Sequence, residues 1–458
     1  MPKQNYDPGT ARYLSFSTAR RGFVDGRTSP IEFLERCLER ITRMEPSIQA
    51  FVRLDVEGAR AAAHAAAQRW RMGTPLSLID GMPVGIKDCF DVRGWPTEVN
   101  SALFKGHTAE IDAAHVAALR RSGAIILGKT TTTELTMALP APTLNPWDLQ
   151  RTPGGSSSGS AAAVAACMLP VASGSQVRGS VIRPASICGI LGMKPTFGAL
   201  NRNGGIDPSP SLNHLGLLAG TLTDLWETAY QIGRTAGGDP GYPALQGTPQ
   251  LGAARRPLRL ARQYTAGWSR TDDSSKAAFE AFLQSLRREG IEILEPSATS
   301  ELATYEAATT ATHEFFFDLM TFELRWPLSL WDKLRPGLLS EAVSGYVQRA
   351  ESMTVEEYDR ALARRSELQM LHRGLRGHVD AFVTLAHIGP GQIGMPKQGT
   401  PWYNDASSAI GAPTFGLPLL SVDQAPLGVQ ILGFESQDAD LAAVAHWLLH
   451  QYAPQLVQ

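Results

Sequence analysis

The chain has 458 residues, 43% apolar and 19% charged, an ordinary globular usage that excludes a mostly disordered polymer. Lys plus Arg total 42 against 44 for Asp plus Glu, a formal charge of −2, so no basic excess points to nucleic acid. Four cysteines (Cys37, Cys89, Cys167, Cys188) lack CxxC or zinc spacing and read as reduced thiols of a cytoplasmic protein without a metal site. MPKQNYDPGT at the N-terminus lacks the apolar stretch of a signal peptide. The longest apolar run, residues 161–172, is shorter than the roughly 20 residues of a membrane span.

Residues 1–75 read as helical. Ser29-Pro30-Ile31-Glu32 offers an N-cap, a first-turn proline and an acid at the third position. Ile31, Leu34, Leu38 and Ile41 then recur at helical spacing, and Met44 to Pro46 closes the helix. Residues 57–70 form a second, Ala-rich helix. From residue 81 short apolar runs (MPVGIKD, AIILGKT, LPVASGSQ, GILGMKP) alternate with helical stretches (DAAHVAALRRSG, SAAAVAAC). Buried strands alternating with helices predict an α/β sheet covered on both faces. Residues 237–257, rich in Gly, Pro and Ala, read as a surface connection. LRLARQY and IEILEP continue the strands around a helix. Residues 301–377 are helical, with a capping box at Thr354 and Glu357. AFVTLA, PTFGLPLL and LGVQILG return to strands before a closing helix from Asp438. The expected organisation is therefore one domain over 1–458. It has a helical segment at 1–75, a core at 80–236, a helical insertion at 301–377 and returning strands from 378.

Chemistry concentrates in residues 152–198. GGSSSGS runs into an Ala-rich helix, and alone it could be a tight turn with a serine cap. It lacks the Gly-Lys-Ser/Thr of a P-loop. The second loop, Gly174-Ser175-Gln176-Val177-Arg178-Gly179-Ser180, offers consecutive backbone N–H groups of the kind that hold an oxyanion. A serine beside such a nest is a candidate nucleophile if a base is at hand. His214 is one option. Lys87, at the end of the apolar strand in GMPVGIKDCFDV, is the other, since burial penalises its ammonium. A surface ion pair of Lys87 with Asp88 or Asp91 is the competing reading.

Together PVGIKDCFDVRG, ILGKTTTTEL, NPWDLQRTPGGSSSGSAAAVAA, GSQVRGSVIRPASICGILGMKPT and PLGVQILG resemble the amidase signature family, with the 24-residue step from Ser156 to Ser180 matching its two serines. The resemblance implies one large twisted mixed β-sheet covered by helices on both faces. It also implies a Ser-cisSer-Lys triad, with Lys87 as base, Ser156 as bridge on a cis peptide and Ser180 as nucleophile. Amides of Val177, Arg178, Gly179 and Ser180 would form the oxyanion hole, and Ser157 would hydrogen-bond Lys87. Thr136 could line the acyl pocket, and Trp402 and Tyr403 could shape its mouth. No cofactor or metal is implied.

Three departures stand out: Gln176 where the family usually has Asp, Arg178 where it has Gly, and Ile182 where it has Arg, with Arg183 one place later. Ser158 also stands where Gly is usual. An Asp and an Arg lost together fit the loss of an ion pair, because either alone would be a stranded buried charge. The expected activity is hydrolysis of a small-molecule amide through an acyl-enzyme, by a chain that binds no nucleic acid or membrane and pairs as a homodimer. The alternatives are the amidase subunit of a tRNA-dependent amidotransferase, a hydrolase of a carboxylated urea, and an inactive scaffold.

Overall fold

The computed structural model describes residues 4–207, 209–394 and 398–458. Eleven strands form one mixed sheet: β1 (Phe51–Leu54), β2 (Pro83–Lys87), β3 (Ile125–Thr130), β4 (Val171–Gln176), β5 (Leu191–Lys194), β6 (His214–Ala219), β7 (Arg259–Arg262), β8 (Glu292–Leu294), β9 (Ala381–Leu385), β10 (Thr414–Val422) and β11 (Ala425–Leu432). Their order is β1-β3-β2-β4-β6-β5-β10-β11-β9-β7-β8. β2 runs parallel to both β3 and β4, whereas β6 is antiparallel to β4 and β5. Most strands are buried along their whole length, which is why they read as continuous apolar or small-residue runs instead of alternating ones.

Helices cover both faces, as the sequence implies. On one face the helices Pro30–Ile48, Ser158–Ala165 and Ile182–Cys188 share a core built on Leu34, Leu38, Ala162, Ala185 and Cys188. On the other, the helices Ala114–Arg121, Leu222–Ala236, Asp273–Arg288 and Asp438–Tyr452 bury Val116, Leu225, Phe279 and Leu448. A third cluster joins the helical block after residue 300 to the helix Asp405–Ile410. Phe315 and Phe316 pack there.

The sequence reading omits β6 and differs at two further elements. The first long helix continues through Pro46 to Ile48, because Ile48 is fully buried, and it ends at Gln49 in the left-handed region (φ 55°). Residues 51–54 are then an edge strand, antiparallel to β3, inside the stretch read as all helical. The apolar face of the first helix is consumed within the chain: Phe33, Leu34, Cys37, Leu38, Ile41 and Met44 are all buried. The capping box forms as read, at the head of the helix Val355–Gly374.

Candidate active site

Three chain segments meet at the ends of the central strands. β2 delivers Lys87 at its last position, and β4 runs parallel beside it into the loop 177–181. Ser156 lies just before the helix Ser158–Ala165, which is buried on every side and built only of Ser, Gly, Ala and Val. Side chains that small let it insert against the sheet. The Gly155–Ser156 peptide is cis. Ser180 precedes the helix Ile182–Cys188.

Lys87 is fully buried, and its Nζ donates to Ser156 Oγ (2.7 Å), Ser175 Oγ (2.8 Å) and Ser175 O (3.3 Å). Burial pulls its pKa from 10.5 to about 8, with the Arg183 guanidinium adding to the fall. Asp88 does not compensate it. That carboxylate turns away to Lys129 (2.8 Å) and accepts the Val99 amide, from the turn that follows the last residue of β2. Ser157 does not hydrogen-bond Lys87: its Oγ is buried without a partner among the described residues, and Ser175 holds the amine instead. Cys89 is buried with its thiol near Ser175 Oγ (3.6 Å), and burial raises its pKa. His214 is buried on β6 against the Gln176 carbonyl (3.3 Å), held well below its ordinary pKa by burial, and makes no hydrogen bond to Lys87 or either serine.

Ser180 is 7% exposed and faces a cavity of about 210 Å³. Thr136, Met137, Val177, Arg178, Arg183, Met320 and Tyr346 contribute to its walls. Among the described residues, no acceptor meets the amides of Val177, Arg178, Gly179 or Ser180. Ser180 Oγ and Ser156 Oγ are not hydrogen-bonded to each other here; such links often tighten only around substrate.

The three departures now have places. Gln176 Oε1 accepts the amides of Val181 (2.9 Å) and Ile182 (3.0 Å), bracing the loop without a charge. The Arg178 side chain leaves the nest and forks onto Asp405, Nε to Oδ1 at 2.9 Å and Nη2 to Oδ2 at 2.6 Å. Arg183 donates to Gly155 O (2.9 and 2.6 Å) and Gly399 O (3.0 Å). Among the described residues it has no carboxylate within ion-pair distance, although it is buried. Trp402 lies outside the cavity wall, its ring tilted by 39° against His313 with centroids 3.7 Å apart, and Tyr403 is buried with its hydroxyl on Thr271 (2.7 Å). Among the described residues no three His, Cys, Asp or Glu side chains are placed to hold a metal ion. No helix there is long and apolar enough to cross a membrane.

The family model named Amidase matches residues 32–442, and the chain belongs to that amidase family. It is 38% identical over 310 residues to a glutamyl-tRNA(Gln) amidotransferase subunit of Chloroflexus aggregans, a match covering 64% of this chain and 62% of that relative's length. A solved amidase superposes with a TM-score of 0.82 at 26% identity, covering 96% of this chain and all of its own. A second solved protein, from work on a vestigial protein complex and the origins of an s-triazine catabolic enzyme, gives the same TM-score and identity over 96% of this chain and 98% of its own.

Proposed function

We propose that the chain hydrolyses a small-molecule amide with Lys87, Ser156 and Ser180 as a proton relay and nucleophile. The observation that carries this is the buried Lys87 Nζ at 2.7 Å from Ser156 Oγ, with Ser180, Val177 and Arg178 lining a cavity and the amides of residues 177–180 without a partner among the described residues. Neutral Lys87 accepts the Ser156 proton while Ser156 accepts that of Ser180. Ser180 Oγ attacks the amide carbonyl, and the oxyanion sits on the amides of residues 177–180. The relay returns a proton to the nitrogen, the C–N bond breaks and ammonia or an amine leaves. Water then attacks the Ser180 ester, gives its proton back along the same path and releases the acid.

Among the described residues, the cavity walls carry two arginines and no Asp or Glu. Asp405 neutralises Arg178, whereas Arg183 meets only carbonyl oxygens there. An acyl part bearing a carboxylate, as in a dicarboxylic monoamide or a ureido acid, suits that wall. A second reading, the amidase subunit of a tRNA-dependent amidotransferase, is favoured by the similarity to the Chloroflexus protein. That reading asks the cavity to take glutamine, whose ammonium would find no acidic partner on these walls.

The purified chain, with nothing else added, would be assayed for ammonia or amine release. The panel would hold neutral primary amides, anilides, dicarboxylic monoamides, ureido acids and L-glutamine. Turnover of an anionic amide that Ser180→Ala abolishes is expected. Turnover of glutamine alone, or only after tRNA and a partner protein are supplied, would favour the second reading.

A further inference from the structure

One short helix, Asp405–Ile410, with the residue before it, touches the nest loop at three successive points. Gln176 Nε2 donates to Ser408 Oγ at 3.2 Å. The Arg178 guanidinium forks onto Asp405. Gly179 lies so close to Asn404 that a Cβ on it would come within 2.5 Å of Asn404 Oδ1. The loop and this helix are more than 220 residues apart in sequence. Asp405 is 1% exposed, and the guanidinium and His313 hold its carboxyl below the usual carboxylate range despite burial.

We propose that Asp405 is a positioning residue for the oxyanion site: through the Arg178 fork it fixes the direction of the amides at 177–180. The proposal rests on the hydrolytic reading above. A bidentate carboxylate–guanidinium pair holds both planes in one geometry, which a single-point lysine contact does not. Arg178 contributes its amide to the nest and its side chain to the fork, so any rotation of that residue moves both. Donors aimed at a developing oxyanion act only if they need no reorganisation as charge forms. A slack fork would therefore penalise the transition state and leave ground-state binding almost unchanged. His313 is part of the same contact, with Nδ1 at 2.8 Å from Arg178 Nη2 and 2.9 Å from Asp405 Oδ2. Its ring is backed by Trp402, and the Arg270 guanidinium lies over that indole at 3.9 Å.

The test compares wild type, Asp405→Asn and Arg178→Lys on 4-nitrophenyl acetate, with Ser180→Ala as the background. A small alkyl trifluoromethyl ketone, whose Ser180 adduct places an oxyanion in the nest, serves as inhibitor. In Asp405→Asn, kcat should fall at least tenfold and inhibitor affinity by a similar factor, with KM within about threefold. Arg178→Lys keeps the charge but loses the fork, and should move both readouts the same way by a smaller factor. It also serves if Asp405→Asn fails to fold. Unchanged kcat and inhibitor affinity in the variant that folds would overturn the proposal, as would a loss confined to KM. If wild type shows no turnover above Ser180→Ala, it is the hydrolytic reading that fails.

Discussion

At the scale of single residues, Lys87 carries the sharpest consequences. Its amine has three hydrogen-bonding contacts and, among the described residues, no carboxylate beside it. With a pKa near 8, kcat/KM should rise with pH and level off above about 8, because the relay needs the unprotonated amine. A flat profile between pH 6 and 9 would rule this base out. The same shift has a thermodynamic sign. Below about pH 8 both the unfolded and the folded chain hold the Lys87 proton, and the folded chain must bury the ammonium, so Lys87 costs stability there. The cost fades as pH climbs from 8 toward 10.5. A fall of that size corresponds to about 3 kcal/mol. Lys87→Met should therefore abolish turnover yet raise stability at pH 7 by roughly 1–3 kcal/mol, read from urea unfolding. Lys87→Arg should be inactive as well, since a guanidinium does not give up its proton. Ser180→Ala should lower turnover by a factor on the order of 10³ or more with the fold intact. A serine-directed phosphonofluoridate should label Ser180 alone. These residues were legible in the sequence because each sits in a short motif. Ser175 was not singled out. It lies in the same run, but only the pairing of β2 with β4 brings it to Lys87 instead of Ser157.

Among the elements, the helix Ser158–Ala165 shows how tightly the site depends on small side chains. Gly159 donates its amide to Thr131 O (3.2 Å), and a Cβ there would strike Ala50 O and the Thr131 hydroxyl and amide. Two of those obstacles are backbone, so the helix itself must move. Gly159→Ala should cost about 1–3 kcal/mol. It should also lower kcat more than the stability loss alone explains, because Ser156 is three residues away. A variant with full activity and unchanged urea midpoint would show that the helix has slack. Most elements were legible from apolar runs and caps. The ones missed had weak local signals. β1 is four residues with a half-exposed pattern, and its pairing with β3 decides it. β6, HLGLLA, has no β-branched residue and is a strand because β4 and β5 flank it. Pro46 reads as a stop, yet burial of Ile48 carries the helix past it. The contacts of Asn404, Asp405 and Ser408 with the nest loop had no local signal at all, being long-range.

Over the whole molecule, the cavity is a joint between two bodies of structure. Ser180, Arg178 and Arg183 come from the segments at the strand ends, whereas Met320, Leu324 and Tyr346 come from the helical block after residue 300. On the proposed hydrolytic reading, catalytic geometry and substrate size are supplied by different parts of the chain. The first is tied to buried strands. The second is set by the side chains on the inner face of a helical layer, which can change without disturbing the sheet. Met320 is buried and belongs to the cluster that joins this layer to the helix Asp405–Ile410. Its truncation should therefore enlarge the cavity from its present volume of about 210 Å³ at some cost in stability. Met320→Ala should destabilise the chain by about 2–5 kcal/mol if the site does not collapse. On substrates it should act by size. Removing a few methylene-sized groups from a pocket wall is worth about 1–3 kcal/mol of discrimination, or 10- to 200-fold. A bulky anilide should gain kcat/KM by about tenfold, through KM, while a small aliphatic amide loses a comparable factor. The pH profile should be the same for both substrates, because Lys87 and Ser156 are untouched. A parallel loss on both substrates, or a displaced pH profile, would mean that the helical layer positions the relay and does more than bound the substrate.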